Sequence, residues 1–465
     1  MATPLHIVVL AAGQGSRMKS SLPKVIHALA GRSLLNHVLT TARGLQPDGL
    51  HVVIGHGADQ VREQTPGSDI QWVIQREQLG TGHAVAQALP GIPETARVLV
   101  LYGDVPLTSP ETLSRLAAVI ARDCLGLLTV NLSDPAGYGR ILRDSRGDVT
   151  GIVEQKDATP EQLQISEVNT GLLGAPAEKL KRWLPALSSN NAQAEYYLTD
   201  VIALARTEGL GIQVSQPDEP EEVQGVNNRA QLAQLERWFQ HQQALMLMAG
   251  GASLADPARI DIRGRVETGH DVVIDVNAVM EGEVVLGDRV HIGPGVVLRD
   301  CRVGSDVRVD AYSLIEGARV DQGAVIGPFA RLRPDALVGR NARVGNFVEI
   351  KKSSIGAESK VNHLSYVGDT TMGEAVNIGA GTITCNYDGT SKHHTTLGHG
   401  VFIGSNTSLV APVTLGARSV TGAGSTINRN VADRELAVAR SRQRNIPDWV
   451  AETDDDQDSK KKGED

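Results

Sequence analysis

The sequence predicts two domains of different fold class: an α/β domain with a mostly parallel sheet, followed by a parallel β-helix of hexapeptide repeats. The first prediction rests on short aliphatic runs that alternate with amphipathic segments up to about residue 227. The second rests on aliphatic residues that recur every six positions beyond residue 250. Composition agrees, because 465 residues include 49 Gly but only 4 Trp, 7 Tyr and 4 Phe, so the core must be aliphatic.

The chain up to position 227 carries the strand and helix pattern of an α/β fold. Amphipathic segments at 33–43 and 111–121 lie between the aliphatic runs. Largely apolar strands separated by helices predict a Rossmann-like, mostly parallel sheet that is covered on both faces. Ligands of such sheets bind at the carboxyl ends of the strands. The predicted strands are Ile7–Leu10, Val52–Ile54, Trp72–Gln75, Val98–Tyr102 and Leu125–Val130.

A helical pattern follows and then ends abruptly. It runs from Asn228 to Ala249 and stops at Gly250 and Gly251. A glycine pair directly after periodic apolar residues is a helix stop. We therefore predict a linker helix over 228–250, between a first domain at 1–227 and a second at 251–465.

The second domain has a period of six that an α-helix cannot keep, since six residues rotate a helix by about 600°. Short strands joined by tight turns can keep it, and each repeated aliphatic residue then points to the axis of a β-helix. The stretch 384–396 breaks the series and is expected to be a loop extruded from one coil. The repeated residues are Ile326, Leu332, Val338, Val344 and Ile350, and later Leu397, Ile403, Leu409, Leu415, Thr421 and Ile427.

Charge and cysteine content exclude several classes of protein. The formal net charge is −9, whereas a nucleic-acid-binding protein needs a basic surface. From Glu452 to Asp465 there are seven acidic residues and three lysines, which predicts a disordered acidic tail from about 452. The three cysteines lie far apart without a CxxC pair, so neither a disulfide framework nor a zinc ribbon is expected. The apolar run 7–12 is too short to span a membrane, and we expect a cytoplasmic protein without a membrane partner.

The loop after the first strand has the residues of a phosphate site. Gly13 and Gly15 let backbone N–H groups approach a phosphate, and Arg17 and Lys24 balance its charge. A tight strand–helix turn with two surface cations is the alternative. No Gly-Lys-Ser/Thr follows, which excludes a Walker A loop, and Met18 stands where a dinucleotide fingerprint has its third glycine.

Asp104 lies just past the carboxyl end of the apolar run 98–102. A metal ligand for nucleotide phosphates belongs at this position of a parallel sheet. Asp104 could instead cap the next helix. Ser109, followed by Pro110 and Glu111, suits that role better, so we favour the metal role.

His363 lies in the repeats at a position where the hexapeptide pattern does not require a histidine. A lone histidine is more often a structural hydrogen-bonding group than a catalyst. Arg333, Lys351, Tyr366 and Asn377 provide cationic, phenolic and amide groups that suit a sugar phosphate. The spacing from Arg333 to Lys351 equals one coil of three hexapeptides, so their side chains are expected to stack on one face.

These motifs resemble a known family. LAAGQGSRM…LPK, QLGTGHA, YGDVPL, GYGRI, GIVEQKDA, VNTG, AEYYLTD and GVNNR are similar to the motifs of sugar-1-phosphate nucleotidyltransferases. With NHLSYVGD and GAGTITCNYDG in the repeats, the chain resembles the bacterial family of bifunctional N-acetylglucosamine-1-phosphate uridyltransferases and glucosamine-1-phosphate acetyltransferases. The resemblance extends over both domains, and only the acidic tail lies outside it.

The resemblance implies two reactions. The β-helix would acetylate glucosamine 1-phosphate with acetyl-CoA, and the first domain would then join UTP to N-acetylglucosamine 1-phosphate and release pyrophosphate. It also implies Mg²⁺ as cofactor, a homotrimer and a left-handed β-helix. The product, UDP-N-acetylglucosamine, would feed peptidoglycan and, in Gram-negative cells, lipopolysaccharide, and thereby cell wall and cell shape.

The same resemblance implies the residues of the first site. Arg17 and Lys24 would act on the phosphates as catalytic residues, and Asp104 and Asn227 would bind Mg²⁺. The nucleotide and the UDP-sugar would be bound by Leu10, Ala11, Ala12, Gly13, Lys24, Gln75, Gly80, Thr81, Tyr102, Gly103, Asp104, Gly139, Glu154, Asn169 and Asn227.

In the β-helix, the resemblance makes His363 the general base that takes a proton from the glucosamine amine, with Glu349 expected to orient it. Glucosamine 1-phosphate would be bound by Arg333, Lys351, Tyr366 and Asn377. Acetyl-CoA would contact Ala380, Asn386, Tyr387, Ser405, Ala423 and Arg440.

Two other functions stay open at this point. A related two-domain enzyme for another sugar or base would need changes in the sugar pocket or near Gln75, and the sequence shows none. A non-catalytic regulatory subunit of the kind found in a eukaryotic initiation exchange factor would have lost the catalytic loop. Arg17, Lys24, Asp104 and His363 are all present here.

Overall fold

The computed structural model describes residues 3–447 and residue 449. These residues form two compact units: residues 3–250 with 256–265 and 279–282, and 251–255 with 266–278 and the chain from 283 onward. The acidic tail predicted from about 452 lies outside the described residues. Within the described part of the chain, none of the helices combines the length and the apolar character that a membrane span needs.

Residues 3–250 contain α-helices and short strands in alternation. The strands are β1 (Leu5–Ala11), β2 (Ala28–Leu29), β3 (Arg32–Ser33), β4 (Gly49–Ile54), β5 (Ile70–Ile74), β6 (Arg97–Tyr102), β7 (Cys124–Asn131), β8 (Arg140–Arg143), β9 (Val149–Val153), β10 (Glu167–Pro176) and β11 (Gly211–Ser215). The helices are α1 (Leu34–Gly44), α2 (Ala58–Glu63), α3 (Thr81–Ala88), α4 (Pro110–Ala118), α5 (Ala177–Trp183), α6 (Val201–Thr207) and α7 (Arg229–Ala249).

A twisted sheet forms the centre of the first unit, with the strand order β11-β7-β10-β6-β1-β4-β5. β1 pairs in parallel with β4 and β6, β4 with β5, and β7 with β11. β10 runs antiparallel to both of its neighbours, β6 and β7. All seven residues of β1 are buried, as expected for a strand covered on both faces. The predicted Rossmann-like, mostly parallel sheet is therefore confirmed, with β10 as its antiparallel member.

The ends of the predicted elements differ from the observed ends by a few residues. Each of the five predicted strands begins slightly earlier in the structure, because flanking residues such as Gly49 and Arg97 still pair in the sheet. Helix α4 begins where it was predicted, and Ser109 caps it by accepting a hydrogen bond from the Thr112 N–H at 3.1 Å. Asp104 is thus not needed as a cap. The antiparallel hairpin β8–β9 and strands β10 and β11 were not predicted.

The predicted linker helix is α7. Asn228 caps it by accepting a hydrogen bond from the Gln231 N–H at 2.9 Å. Leu235, which is 1% exposed, packs in a cluster of the first unit. The helix therefore contributes to the core of that unit, while the predicted domain limits at 227 and 251 stay a prediction. The other buried residues of this cluster are Met18, Leu29, Ala30, Leu34, Leu107 and Val226.

Beyond residue 250 the described chain is almost entirely short strands. They are β12 (Ser253–Leu254), β13 (Ile260–Thr268), β14 (Val273–Ile274), β15 (Ala278–Leu286), β16 (His291–Ile292), β17 (Val297–Val303), β18 (Arg308–Val309), β19 (Leu314–Glu316), β20 (Arg319–Val320), β21 (Val325–Ile326), β22 (Arg331–Leu332), β23 (Leu337–Val338), β24 (Arg343–Asn346), β25 (Glu349–Lys351), β26 (Ser354–Ile355), β27 (Lys360–His363), β28 (Tyr366–Gly368), β29 (Thr370–Met372), β30 (Asn377–Ile378), β31 (Ile383–Cys385), β32 (Thr395–Leu397), β33 (Phe402–Ile403), β34 (Ser408–Val410), β35 (Val413–Leu415), β36 (Val420–Thr421), β37 (Thr426–Ile427) and β38 (Leu436–Ala437).

The strands of the second unit stack in parallel on three faces. The first face is β12-β14-β16-β18-β21-β24-β27-β30-β33-β36-β38, the second is β19-β22-β25-β28-β31-β34-β37, and the third is β20-β23-β26-β29-β32-β35. β17 turns a corner and pairs with both β19 and β20. Each residue pairs with one that lies a single coil farther along the chain, as Arg308 does with Val325 and Val325 with Arg343. The parallel β-helix is therefore confirmed, while its left-handedness stays a prediction.

The residues of the six-residue period form the core of this β-helix. From Ile326 to Ile350 the repeated aliphatic side chains are 1% exposed or less, and from Leu397 to Leu415 they are 2% exposed or less. Thr421 continues the series at 2% exposure, and its hydroxyl accepts a hydrogen bond from the Gly404 N–H at 3.0 Å. The prediction that these positions point inward is confirmed.

The predicted extruded loop is present with narrower bounds. Between β30 and β33 the pairing passes from Asn377 to Phe402, a longer step than the one from Arg343 to Lys360 between β24 and β27. The extra residues lie between β31 and β32, at 386–394. Thr384 and Thr396, at the ends of the predicted loop, pair with neighbouring strands and so belong to the β-helix.

Two histidines face each other inside the first unit. His6 on β1 and His51 on β4 are 7% and 1% exposed, and His6 Nδ1 lies 3.0 Å from His51 Nε2. Burial lowers the pKa of His51 to about 4, and the neighbouring His6 contributes to the same direction. Burial also lowers the pKa of His6, against the opposing charge of Asp48. The pair is therefore neutral in the folded protein at neutral pH.

We predict that this pair makes the first unit sensitive to acid. A histidine whose pKa is lower in the folded state stabilises the fold fully above pH 6.5 and loses that contribution as the pH falls toward 4. We expect His51→Asn to reduce the acid-dependent loss of unfolding free energy by about 2–3 kcal/mol between pH 6.5 and 4. Urea unfolding followed by tryptophan fluorescence measures it, with exposed His241→Asn as control. Equal pH slopes for both variants would contradict the prediction.

Candidate functional site

Parallel pairing brings two predicted motifs to one edge of the first sheet. Leu10 of β1 lies opposite Tyr102 of β6, so both strands end at the same edge. The Gly103 N–H donates to the Leu10 carbonyl at 2.9 Å. The loop after β1 and the residues after β6 therefore lie side by side, as the fold class requires of a ligand site.

A cavity of about 270 Å³ opens at this edge. It collects most of the residues expected to bind the nucleotide: Leu10, Ala11, Ala12, Gly13, Lys24, Gln75, Gly80, Thr81, Tyr102 and Asp104. Val25, Gln78, Ala84 and Glu195 also line it and were not predicted. Gln78 and Ala84 belong to the QLGTGHA motif and Glu195 to AEYYLTD, so the motifs contained the signal for all of these residues except Val25.

The loop after β1 is shaped by one glycine and one buried side chain. Gly15 has a φ of +65°, and a Cβ there would lie 2.5 Å from the Cβ of Lys24. Only glycine allows Lys24 to pack so close to the loop. Met18, which stands in place of a third glycine, is 1% exposed and anchors the loop in the cluster around α7.

Four predicted residues form a charged network beside the cavity. Lys24 makes an ion pair with Asp104, and its Nζ donates to Asn227 Oδ1 at 3.2 Å. Arg17 also donates to Asn227 Oδ1, at 2.8 Å. The side chains of Lys24 and Asp104 are only 14% and 16% exposed. Cations and oxygen ligands that were expected at a phosphate–metal site are thus in direct contact.

The donor set of this network fits a magnesium ion. Asp104 and Asn227 present a carboxylate and an amide oxygen toward the same ammonium group, so the two oxygens converge on one point. Mg²⁺ prefers such hard oxygen ligands and takes only one or two from the protein when substrate phosphates supply others. Among residues 3–447 and 449, no group of three or more His, Cys, Asp and Glu side chains is placed to hold a metal.

Three residues expected to bind the sugar lie together farther from the cavity. The Asn169 N–H donates to the Gly139 carbonyl at 2.8 Å, and the Glu154 carboxylate lies 3.4 Å from the position of a Gly139 Cβ. Burial raises the pKa of Glu154, while a hydrogen bond from Thr199 at 3.3 Å acts against this shift. Tyr102 lines the cavity, and burial, followed by the charges of Asp104 and Glu154, raises its pKa.

Gln75 and Gly80 are held rigidly at the other side of the cavity. Gln75 is 3% exposed and donates through Nε2 to the Gly80 carbonyl at 3.2 Å. Gly80 has a φ of +111°, and a Cβ there would lie 2.7 Å from the Tyr196 carbonyl oxygen. Thr81 begins α3 and accepts a hydrogen bond from the Leu198 N–H at 3.0 Å. These contacts position the backbone around this predicted base-binding region.

The second candidate site is in the β-helix, around His363. Asn346 and His363 pair across the adjacent strands β24 and β27 of the first face. His363 Nδ1 lies 2.9 Å from Asn346 Oδ1, and the ring is exposed. An amide oxygen only accepts hydrogen bonds, so this contact assigns the proton of neutral His363 to Nδ1 and leaves Nε2 free as a base.

The prediction that Glu349 orients His363 is wrong. Glu349 accepts a hydrogen bond from Arg333 at 2.8 Å, and this bond raises the pKa of Arg333. Asn346 contacts His363 instead. Sequence reasoning missed Asn346, although its separation of 17 residues from His363 is one coil of the β-helix.

The residues expected to bind glucosamine 1-phosphate lie on two faces that meet at a corner. Arg333 directly follows β22 and lies beside β25, which contains Lys351, since the Arg333 N–H donates to the Ile350 carbonyl at 2.9 Å. Tyr366 pairs with Glu349 on the next strand of the same face. Asn377 lies on the first face with His363. Leu364, with a φ of +48°, turns the chain between His363 and Tyr366.

The residues expected to contact acetyl-CoA fall into two groups. Asn386 hydrogen-bonds Asp369 and lies 3.5 Å from the Tyr366 hydroxyl, and the neighbouring Tyr387 is 60% exposed. The other group lies at successive coils of one corner. There, the Ala380 carbonyl accepts from the Asn406 N–H and the Ser405 carbonyl from the Gly424 N–H, while Arg440 donates to the Ala423 carbonyl at 2.9 Å.

We predict that Gly171 is required for the position of Tyr102. Gly171 has a φ of +87°, and a Cβ there would lie 2.7 Å from Tyr102 Cε2. Gly137 has a nearly equal φ of +88° but no atom within 4 Å of its Cβ position. We expect Gly171→Ala to lower the free energy of unfolding by about 1–3 kcal/mol more than Gly137→Ala, since only the first displaces a partly buried ring that packs against the core. Urea unfolding compares them, and equal losses would contradict the role of the ring contact.

Two family models match the chain. Residues 7–144 match the MobA-like NTP transferase domain. Residues 394–429 match the bacterial transferase hexapeptide, described as six repeats. The first match includes the loop after β1 and Asp104, and the second begins at the end of the extruded loop.

Curated relatives match nearly the whole chain. A protein of Marinobacter nauticus named "Bifunctional protein GlmU" is 61% identical over 447 residues, which are 96% of this chain and 98% of the relative. The protein of the same name from Idiomarina loihiensis is 56% identical, with 96% and 98% covered. That from Stutzerimonas stutzeri is 57% identical, with 97% and 99% covered.

Proposed function

The chain belongs to the family of bifunctional GlmU proteins, and we propose that each unit carries out one of the two reactions implied by its motifs. The second unit acetylates glucosamine 1-phosphate with acetyl-CoA. The first unit then transfers UMP from UTP to N-acetylglucosamine 1-phosphate and releases pyrophosphate. The observation that carries this proposal is that two chemically different sets of side chains converge in two separate units: Arg17, Lys24, Asp104 and Asn227 in one, His363 and Asn346 in the other.

In the first unit, the sugar phosphate oxygen attacks the α-phosphorus of UTP in line, and pyrophosphate leaves. The protein contributes by positioning and by compensating negative charge. Arg17 and Lys24 neutralise the phosphates at the loop of Leu10–Gly13. Asp104 and Asn227 would hold Mg²⁺, which supplies further neutralisation of the phosphate charge.

We assign substrate choice in the first unit to groups around the cavity that hydrogen bonds hold in place. The buried amide of Gln75, with Gly80 and Thr81, reads uracil and ribose. Gly139, Glu154 and Asn169 hold the sugar. The contacts among these three residues support a single sugar pocket.

In the second unit, the amine of glucosamine 1-phosphate attacks the thioester carbon of acetyl-CoA. His363 Nε2 takes the proton of the amine as the new N–C bond forms, and gives it to the CoA sulfur as the C–S bond breaks. Arg333 and Lys351 bind the sugar phosphate together with Tyr366 and Asn377. The hydrogen bond from Nδ1 to Asn346 supports the required tautomer of His363.

We also propose a cytoplasmic homotrimer whose product feeds cell-wall and lipopolysaccharide synthesis. An exposed ridge next to His363 supports assembly. Tyr312, Phe329 and Phe347 stack with ring centroids 5.4 Å apart, and Leu364 follows on the next coil. Their side chains are 47–62% exposed in the single chain, and contact with a second copy would remove this apolar surface from water.

The two alternatives weighed on the sequence receive no support. The relatives share one bifunctional name over 98–99% of their length, which does not favour another sugar or base. A non-catalytic regulatory subunit is not favoured either. Arg17, Lys24 and Asp104 lie in one contact network instead of being dispersed over the surface.

We predict that the two activities can be removed independently. His363→Ala should lower CoA release at least 100-fold, because a general base contributes about that much, and leave pyrophosphate release within a few-fold. Asp104→Ala should do the reverse at ordinary Mg²⁺ concentration. Free CoA and pyrophosphate are followed separately across amino-sugar phosphates and nucleoside triphosphates.

The control for this pair of variants is His291→Ala, since His291 is an exposed histidine on the same face of the β-helix. It should leave both activities unchanged. Equal loss of both activities in His363→Ala would refute the assignment of two sites, and full uridyl transfer by Asp104→Ala would refute its metal role.

We predict that Asn346 acts by positioning His363. Asn346→Ala should lower kcat for acetyl transfer about tenfold, because the imidazole loses the bond that fixes its tautomer, while KM for glucosamine 1-phosphate changes less than about twofold. Asn346→Asp keeps an acceptor and should retain more of the rate. Asn341→Ala on the same coil is the control. A change in KM alone, or equal loss in the Ala and Asp variants, would contradict this role.

A further inference from the structure

The ammonium group of Lys24 occupies the point on which the proposed metal ligands converge. It makes an ion pair with Asp104 and donates to Asn227 Oδ1 at 3.2 Å. Arg17 occupies the same amide oxygen at 2.8 Å. Both proposed ligands therefore already have a cationic partner from the protein itself.

A divalent cation would compete with Lys24 for these oxygens. Mg²⁺ lies about 2.1 Å from its oxygen ligands, so it would be within direct repulsion distance of an ammonium group bonded to the same atoms. The Lys24 and Asp104 side chains are mostly buried, and repulsion between like charges is stronger where water is excluded. Lys24 in this position thus weakens binding of the metal.

Lys24 has the freedom to move away from these oxygens. Its Cβ is packed against the loop at Gly15, while its ammonium group lies beyond a flexible four-carbon stem at the wall of the cavity. Phosphates bound at the adjacent Gly13 would offer Lys24 and Arg17 a stronger negative charge than a single carboxylate. The triphosphate would therefore draw both cations away from Asp104 and Asn227.

We propose that Lys24 keeps the metal site closed until a nucleoside triphosphate binds and withdraws it. This proposal rests on the proposed function of the first unit. The proposal has two consequences for binding. The free protein binds divalent metal weakly, and nucleotide and metal bind cooperatively. By linkage, each must strengthen the binding of the other by the same factor.

The test is binding of Mn²⁺ alone to the full chain without nucleotide, measured by electron paramagnetic resonance and calorimetry. Lys24→Met removes the ammonium group and should bind Mn²⁺ about tenfold more tightly than the unmodified protein, within the usual range of coupling. Lys24→Arg keeps a cation and should stay weak. Lys19→Met, which removes an exposed cation of the same loop, is the matched control and should also stay weak.

The double variant Lys24→Met/Asp104→Asn identifies the site of any gain. This double variant should bind Mn²⁺ less tightly than Lys24→Met, because it lacks the Asp104 carboxylate that becomes available to the metal in Lys24→Met. Unchanged or weaker Mn²⁺ binding by Lys24→Met would overturn the proposal, and so would tighter binding that survives in the double variant. Failure of the proposed function is distinguished separately, since Asp104→Asn would then retain uridyl transfer at ordinary Mg²⁺ concentration.

Discussion

Parallel strand pairing is the constraint on which both sites depend. In the first unit it places the end of β1 beside the end of β6, so the loop carrying Lys24 and the turn carrying Asp104 share one edge. In the β-helix it places Asn346 beside His363 on adjacent strands. Parallel strands cannot be joined by a tight hairpin, so residues that meet in this way are always separated by a long connection. Both sites are consequently built from residues distant in the sequence.

The two sites differ in how far their side chains are exposed to solvent. The first lies in a cavity where few charges are accessible to water, so its cations and oxygen ligands must compensate one another before substrate arrives. The second lies on the outside of the β-helix, where His363 is exposed and one neutral amide is enough to fix its tautomer. A general base such as His363 can act at an exposed position, whereas charged groups compensate phosphate charge more strongly in a recessed site from which water is excluded.

Sequence spacing predicted β-helix contacts only for residues that are one full coil apart. Arg333 and Lys351 are separated by one full coil of three hexapeptides and do lie on neighbouring coils of the same face. His363 follows Asn346 by 17 residues, which is one coil, and so lies over it, whereas Glu349 precedes His363 by less than one coil and pairs with Tyr366 on the neighbouring face. Only a separation of one full coil places two residues opposite each other on adjacent strands, because each strand follows its neighbour in strict register. The inward positions of the six-residue period could be predicted without knowing which residues pair, since they are fixed by burial alone.

The sequence by itself determined what burial determines: the aliphatic strands of the sheet and the inward residues of the β-helix. Burial is periodic along the chain, so it leaves a local pattern. Only the tertiary structure decided the antiparallel course of β10, the packing of α7 on the first unit, and the contact of Lys24 with Asp104 and Asn227, which are 80 and 203 residues away. Such contacts depend on how strands are ordered in the sheet, and no local period records that order.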